Sequence, residues 1–83
     1  MTLLSPLETQ AAYVATRVIR KAGGELAAAD YEAAMACEAY RPPVDWLVDA
    51  RVMSRTAQID HRAARAAIDV GLIEATDEGY RVT

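Results

Sequence analysis

Phenylalanine is absent from this chain, and the aromatic residues together make up 6% of it. With so few large aromatic anchors, a core has to be assembled from Leu, Val, Ile, Met and many Ala. A hydrophobic share of 53% is enough for that. Cysteine occurs once, as Cys37, so no internal disulfide can form and a reducing compartment is expected. Its neighbours Ala36 and Glu38 bring no positive charge, so Cys37 reads as a small buried side chain rather than a reactive thiol. Four glycines and three prolines are too few for a disordered chain. The opening Met-Thr-Leu-Leu-Ser-Pro has no basic stretch and no long apolar run. Neither a signal peptide nor a membrane span is expected, and the protein is expected in the cytoplasm.

Chemistry-bearing patterns are also scarce. Gly23-Gly24 stands alone and makes no phosphate loop. One Cys and one His do not make a zinc site. Asp45 and Asp49 lie one helical turn apart, a spacing that suits cation binding or proton transfer, but no nucleophile or further ligand accompanies them. His61 reads as a surface or capping residue. No enzyme activity, cofactor, metal or membrane contact is expected.

What is present is a run of helices. The 83 residues suffice for one domain over 1–83. A domain of that size is marginal alone, so a dimer or a larger partner would help it. Ser5-Pro6-Leu7-Glu8 has the form of a capping box with proline at the first helical position. Leu4, Leu7, Ala11, Val14 and Val18 then form a helical stripe that Gly23-Gly24 ends. Glu25 to Ala29 suits a short extended piece. Asp30 suits the cap of a second helix with Tyr31, Ala34 and Met35 on one face. Arg41-Pro42-Pro43 stops that helix, and 44–54 suits a third around Trp46. Thr56 or Asp60 suits the cap of a fourth, Ala-rich helix ending at Gly71. Leu72 to Ala75 and Tyr80 to Val82 suit two strands joined at Asp77-Glu78-Gly79. The expected fold is mainly α, about four helices with a small C-terminal β-hairpin.

Charge divides by block around a total of −3. Residues 1–24 carry +2, 25–49 carry −5, 50–66 carry +3 and 67–83 carry −3. The compact basic block is all arginine, Arg51, Arg55, Arg62 and Arg65, over the start of the fourth helix. Arginine can grip guanine edges or phosphates bidentately. The same arginines also suit a plainly solvated helix face, with Asp69 four residues after Arg65 as a helical partner.

Gly71-Leu72-Ile73 and the ending Glu78-Gly79-Tyr80-Arg81-Val82-Thr83, together with the element order, resemble a winged helix-turn-helix domain. Many winged-helix regulators have a recognition helix ending in Gly-Leu-Ile and a hairpin with Gly-Tyr, an apolar residue and Thr. The interval from Asp30 to the fourth helix is longer than in the compact version of that fold, and points to an extra helix or insert. The resemblance implies that the fourth helix is the recognition helix and the hairpin the wing.

Two functions follow as expectations. One is a small winged-helix regulator, dimeric, that reads double-stranded DNA with the helix at about 57–70 through Arg55, His61, Arg62 and Arg65. The other is a winged-helix module for protein contact, whose acidic surface, from Glu25 to Asp49 and at the hairpin tip, binds a basic protein partner through Asp45, Asp49, Asp77 and Glu78. The acidic hairpin tip has the wrong sign for phosphate and leans towards the second, while the winged-helix resemblance tips the balance to the first.

Overall fold

A computed structural model describes residues 4–43, 45–46 and 55–83, with the side chains of 55–58 outside that description. Among the described residues the order is α1 (Pro6–Lys21), β1 (Glu25–Ala27), α2 (Ala28–Met35), α3 (Arg55–Asp69), β2 (Ile73–Ala75) and β3 (Gly79–Val82). The fold is mixed α/β and mainly helical, and it ends in the expected hairpin. Three helices are seen among the described residues where about four are expected. Of the helix expected over 44–54, Asp45 and Trp46 are described and are helical; the rest lies outside the described residues.

α1 begins as its sequence dictates. The Glu8 N–H donates to Ser5 Oγ at 3.2 Å, and the Ser5 N–H donates to Glu8 Oε1 at 3.0 Å. Two N–H groups that the helix cannot satisfy internally are thus satisfied reciprocally. The helix stops where Gly23 takes φ 101°, a conformation open to glycine at little cost. The Gly24 N–H then donates to Ile19 O at 2.9 Å and closes the end. The buried arc of α1 is wider than the expected stripe. Ala12, Ala15, Thr16 and Ile19 are buried along with Ala11, Val14 and Val18.

That breadth comes from α3, which shares with α1 the most extensive interface among the described elements. Ala11, Ala12 and Ala15 lie in one core with Ala63, Ala64, Ala66 and Ala67. Small side chains on both helices let two backbones approach closely, and any enlargement there would force them apart. Two expected caps are corrected. α2 starts at Ala28 with Ala27 as its cap residue and no side-chain cap bond, so Asp30 sits inside its first turn. α3 starts at Arg55, so Asp60 is an interior residue, and a buried one.

The hairpin belongs to a three-stranded antiparallel sheet ordered β1-β3-β2. Strand alternation sends Leu26, Tyr80, Val82 and Ile73 to the core and Glu25, Arg81 and Glu74 outward. Gly79 is needed for closeness rather than for turn geometry. A Cβ there would lie 2.1 Å from Leu26 O and 2.7 Å from Ala28 N. Cys37 is a further correction: it is exposed, just past α2, with Sγ 3.7 Å from Ala33 O.

Candidate functional site

α3 carries the residues expected to face DNA, and the fold treats each differently. Arg55 begins the helix, and its side chain lies outside the description. His61 is half-buried, with Nδ1 2.7 Å from the Tyr80 hydroxyl and Nε2 3.2 Å from Glu32 Oε2. Tyr31 and Tyr80 enclose it, with ring centroids 5.6 and 5.8 Å away. It therefore joins α3 to α2 and β3 instead of pointing outward. The Arg62 guanidinium carbon lies 5.4 Å from the centre of the buried Trp46 ring, a cation–π contact. Arg65 is the exposed member, its side chain 77% accessible, with Asp69 Oδ1 at 3.5 Å. Such an i, i+4 pair contributes about 0.3–0.5 kcal/mol.

A recognition helix needs a free face along its length to enter the major groove. Between residues 59 and 69 only Arg65 and Asp69 are exposed, and they carry opposite charges. α3 is the central helix of the described fold, with Ile59, Asp60, Ala63, Ala64, Ala66 and Ala67 all buried.

The acidic residues have a different setting. Asp77 and Glu78 are both exposed at the hairpin tip. The tip is held by the Thr76 N–H donating to Gly79 O at 2.8 Å and the Gly79 N–H donating to Thr76 Oγ1 at 2.9 Å. Asp45 is exposed on a separate element beside Trp46, and Asp49 lies outside the described residues. The pairing register sets Glu25, Arg81 and Glu74 in one row across the outer face of the sheet. Arg81 Nε donates to Glu74 Oε1 at 2.7 Å, and the second guanidinium nitrogen bonds the same oxygen. That hydrogen bond holds the Arg81 pKa above its ordinary value. The Ala28 N–H donates to Glu78 O at 2.8 Å, which fastens the tip to the start of α2, where Asp30 is exposed. Glu25, Arg81 and Glu74 thus form one row on the sheet, Asp77 and Glu78 are exposed at its hairpin tip, and Asp30 is exposed in the first turn of α2, which that tip touches.

Sequence reasoning placed the stretch from Glu25 to Asp49 and the tip residues Asp77 and Glu78 in one acidic surface, and did not single out Glu74, which the fold sets in one row with Glu25. Alternation in each strand places the two glutamates outward. The β1–β3 pairing that aligns them is a long-range contact with no local signal. A polar cluster around Asp60 was also missed. The Tyr31 hydroxyl donates to the Asp60 carbonyl, and the Tyr40 hydroxyl donates to Asp60 Oδ1 at 2.9 Å. Burial pushes the pKa values of Tyr31, Tyr40 and Asp60 upward. For Asp60 the Tyr40 hydrogen bond acts in the opposite direction.

Set against known proteins, the chain matches no protein-family model, no curated protein and no solved structure. Among the described residues no three His, Cys, Asp or Glu side chains gather as a metal site. No described helix is long and apolar enough to cross a membrane.

Proposed function

We propose that this chain is a winged-helix-like interaction module whose acidic sheet-and-hairpin face docks a basic protein partner. The order α1, β1, α2, α3, β2, β3, with β1 paired to β3, supports the winged-helix reading of the fold. The observation that carries the functional reading is the row Glu25–Arg81–Glu74 on the sheet together with exposed Asp77 and Glu78 at its tip and exposed Asp30 at the start of α2. In a winged helix this is the wing and its flank, the part that would lie nearest a phosphate backbone. Carboxylates there repel nucleic acid and attract a Lys- and Arg-rich protein segment.

Exposed charges act mainly on encounter rate and on salt dependence. The test is the double reversal Asp77→Lys/Glu78→Lys, with a fluorescent Lys/Arg-rich peptide titrated at low salt. Affinity is expected to fall by roughly tenfold, the equivalent of about 1.4 kcal/mol. Unchanged affinity would remove the hairpin from the contact surface.

The exposure of Arg65, with Arg62 one turn before it, favours a second reading as a DNA-binding regulator. A symmetric dimer would double the arginine count, with the acidic hairpin turned away from the duplex. Replacing both Arg62 and Arg65 by Ala should then weaken duplex binding; equal affinity in the variant sinks this reading.

A further inference from the structure

Between the last turn of α1 and the end of α2 lies an open cleft of about 360 Å³. Val18, Ala22, Ala34 and Cys37 give it mostly apolar walls, and Lys21 and Glu38 supply its charge. The volume lies in the range of small-molecule sites, about 300–1,000 Å³. Glu38 is already neutralised, because its Oε1 accepts from an Arg17 guanidinium nitrogen at 2.8 Å. That bond lowers the Glu38 pKa and the Lys21 charge adds to the shift, so the Lys21 ammonium lies within electrostatic reach of Glu38. Lys21 itself is exposed and forms no ion pair among the described residues. One carboxylate thus faces two cations, and the rim of the cleft carries a surplus positive charge. The helix ends do not cancel it. Ile19 O and Arg20 O accept from the N–H groups of Gly24 and Gly23, and Ala34 O and Met35 O accept from those of Cys37 and Glu38. Carbonyls that would oppose an anion at a helix C-terminus are therefore occupied.

An apolar floor beside an unpaired ammonium suits a chain that ends in a negative charge. We infer that this cleft binds a free aliphatic carboxylate, its alkyl chain against Val18, Ala22 and Ala34 and its head group on the Lys21 ammonium. Lys21, Ala22 and Cys37 are exposed, so head group and chain enter directly from solvent. Burial of the chain supplies affinity, and the charge-assisted hydrogen bond selects the head group. An amine of the same chain length brings its ammonium against Lys21 and is repelled. A neutral alcohol keeps the chain contacts and forgoes the charge. The cleft shares no residue with the acidic hairpin face, so the inference does not depend on which macromolecule that face meets.

The test is an NMR titration of the full chain with octanoate and, in parallel, 1-octanol and octylamine, read from backbone amide shifts. Cys37 gives a second readout, since an occupied cleft shields its exposed thiol from iodoacetamide. The expected result with octanoate is saturable movement centred on Val18, Ala22, Ala34 and Cys37, with slower Cys37 alkylation over the same concentrations. Octanoate is expected to bind roughly threefold tighter than the alcohol, the scale of an exposed charge pair, and the amine weakest of the three. Lys21→Gln removes an exposed, unpaired charge and leaves the apolar walls, and it is expected to abolish the preference for octanoate over octanol. Ala22→Trp fills the cleft from an exposed position whose φ of −84° suits any side chain, and it is expected to weaken both ligands. No saturable shift at millimolar octanoate, equal affinity for octanoate and octanol, or an undiminished preference in Lys21→Gln each overturns the inference. So does octanoate binding that survives Ala22→Trp.

Discussion

The cations of α3 and the carboxylates of the hairpin occupy contrasting surroundings. His61 is held between Glu32 and Tyr80, Arg62 lies on Trp46, and Arg65 has Asp69 one turn away. Asp77 and Glu78 are exposed at a turn, with no ion pair for either among the described residues. Both groups look alike as letters, a run of one sign. In the fold the basic run sits on a helix whose described residues are mostly buried, and part of it goes into internal ties. The acidic run is added to by Glu25, Asp30 and Glu74 from elsewhere in the chain. Which charges are available to a partner is decided by the packing of the element that carries them, not by their density in sequence.

Removing the support of one surface sharpens the contrast most. Gly79→Ala places a methyl group 2.1 Å from Leu26 O and against the start of α2. The clash is with backbone, so no side chain can turn aside, and β1 must leave β3. A loss of about 3 kcal/mol or more is expected from denaturant unfolding, at the upper end of overpacking costs. The acidic face should come apart with the sheet, taking peptide binding with it. A loss below about 1 kcal/mol would mean that the strands are not so close.

Next in size is the tie that anchors α3. Tyr31 is fully buried, and its hydroxyl donates to the Asp60 carbonyl. Tyr31→Phe keeps the ring and removes that bond, at an expected cost of about 1–2 kcal/mol in chemical denaturation. No measurable change would show that the Asp60 carbonyl is served by its helix alone.

Asp60 itself gives a pH dependence of a particular sign. Burial raises its folded pKa above the unfolded value, so the folded chain holds this proton more tightly. The stability contributed by protonated Asp60 is full below the unfolded pKa and is lost as pH rises through the raised folded one. Asp60→Asn removes that loss. The variant should gain on the wild type as pH rises from about 4 towards neutrality. Glu38 contributes the opposite slope, because the hydrogen bond from Arg17 lowers its pKa, and it is present in both proteins. A constant difference between the two melting curves across that range would contradict the raised value.

The smallest effect tests the basic surface. Arg65→Ala removes an exposed side chain and a pair of 3.5 Å. Stability should change by less than about 0.5 kcal/mol. Affinity for a basic peptide should hold or rise slightly, since a repelling charge has gone.

Local signals were legible in the sequence, and long-range ones were not. The capping box at Ser5 and Glu8, the stop at Gly23 and the hairpin around Asp77 and Glu78 each depend on residues within a few positions, and each is found. The pair Arg65–Asp69 is of the same kind. Asp60 was misread because an aspartate near a helix start has the form of a cap. What decides its role is the arrival of Tyr31 and Tyr40, each at least 20 residues away. Cys37 was misplaced for a related reason, since α2 stops at Met35 and leaves it outside the packed turns. The acidic face needed the β1–β3 register, which joins residues far apart in the sequence.

The most direct measurement is a pair of anisotropy titrations at low and moderate salt, one with a labelled Lys/Arg-rich peptide and one with random duplex DNA. The acidic-face account predicts peptide binding that weakens as salt rises and no association with the duplex. Duplex binding with a steep salt dependence, and none to the peptide, would contradict it and return α3 to the role of reading helix.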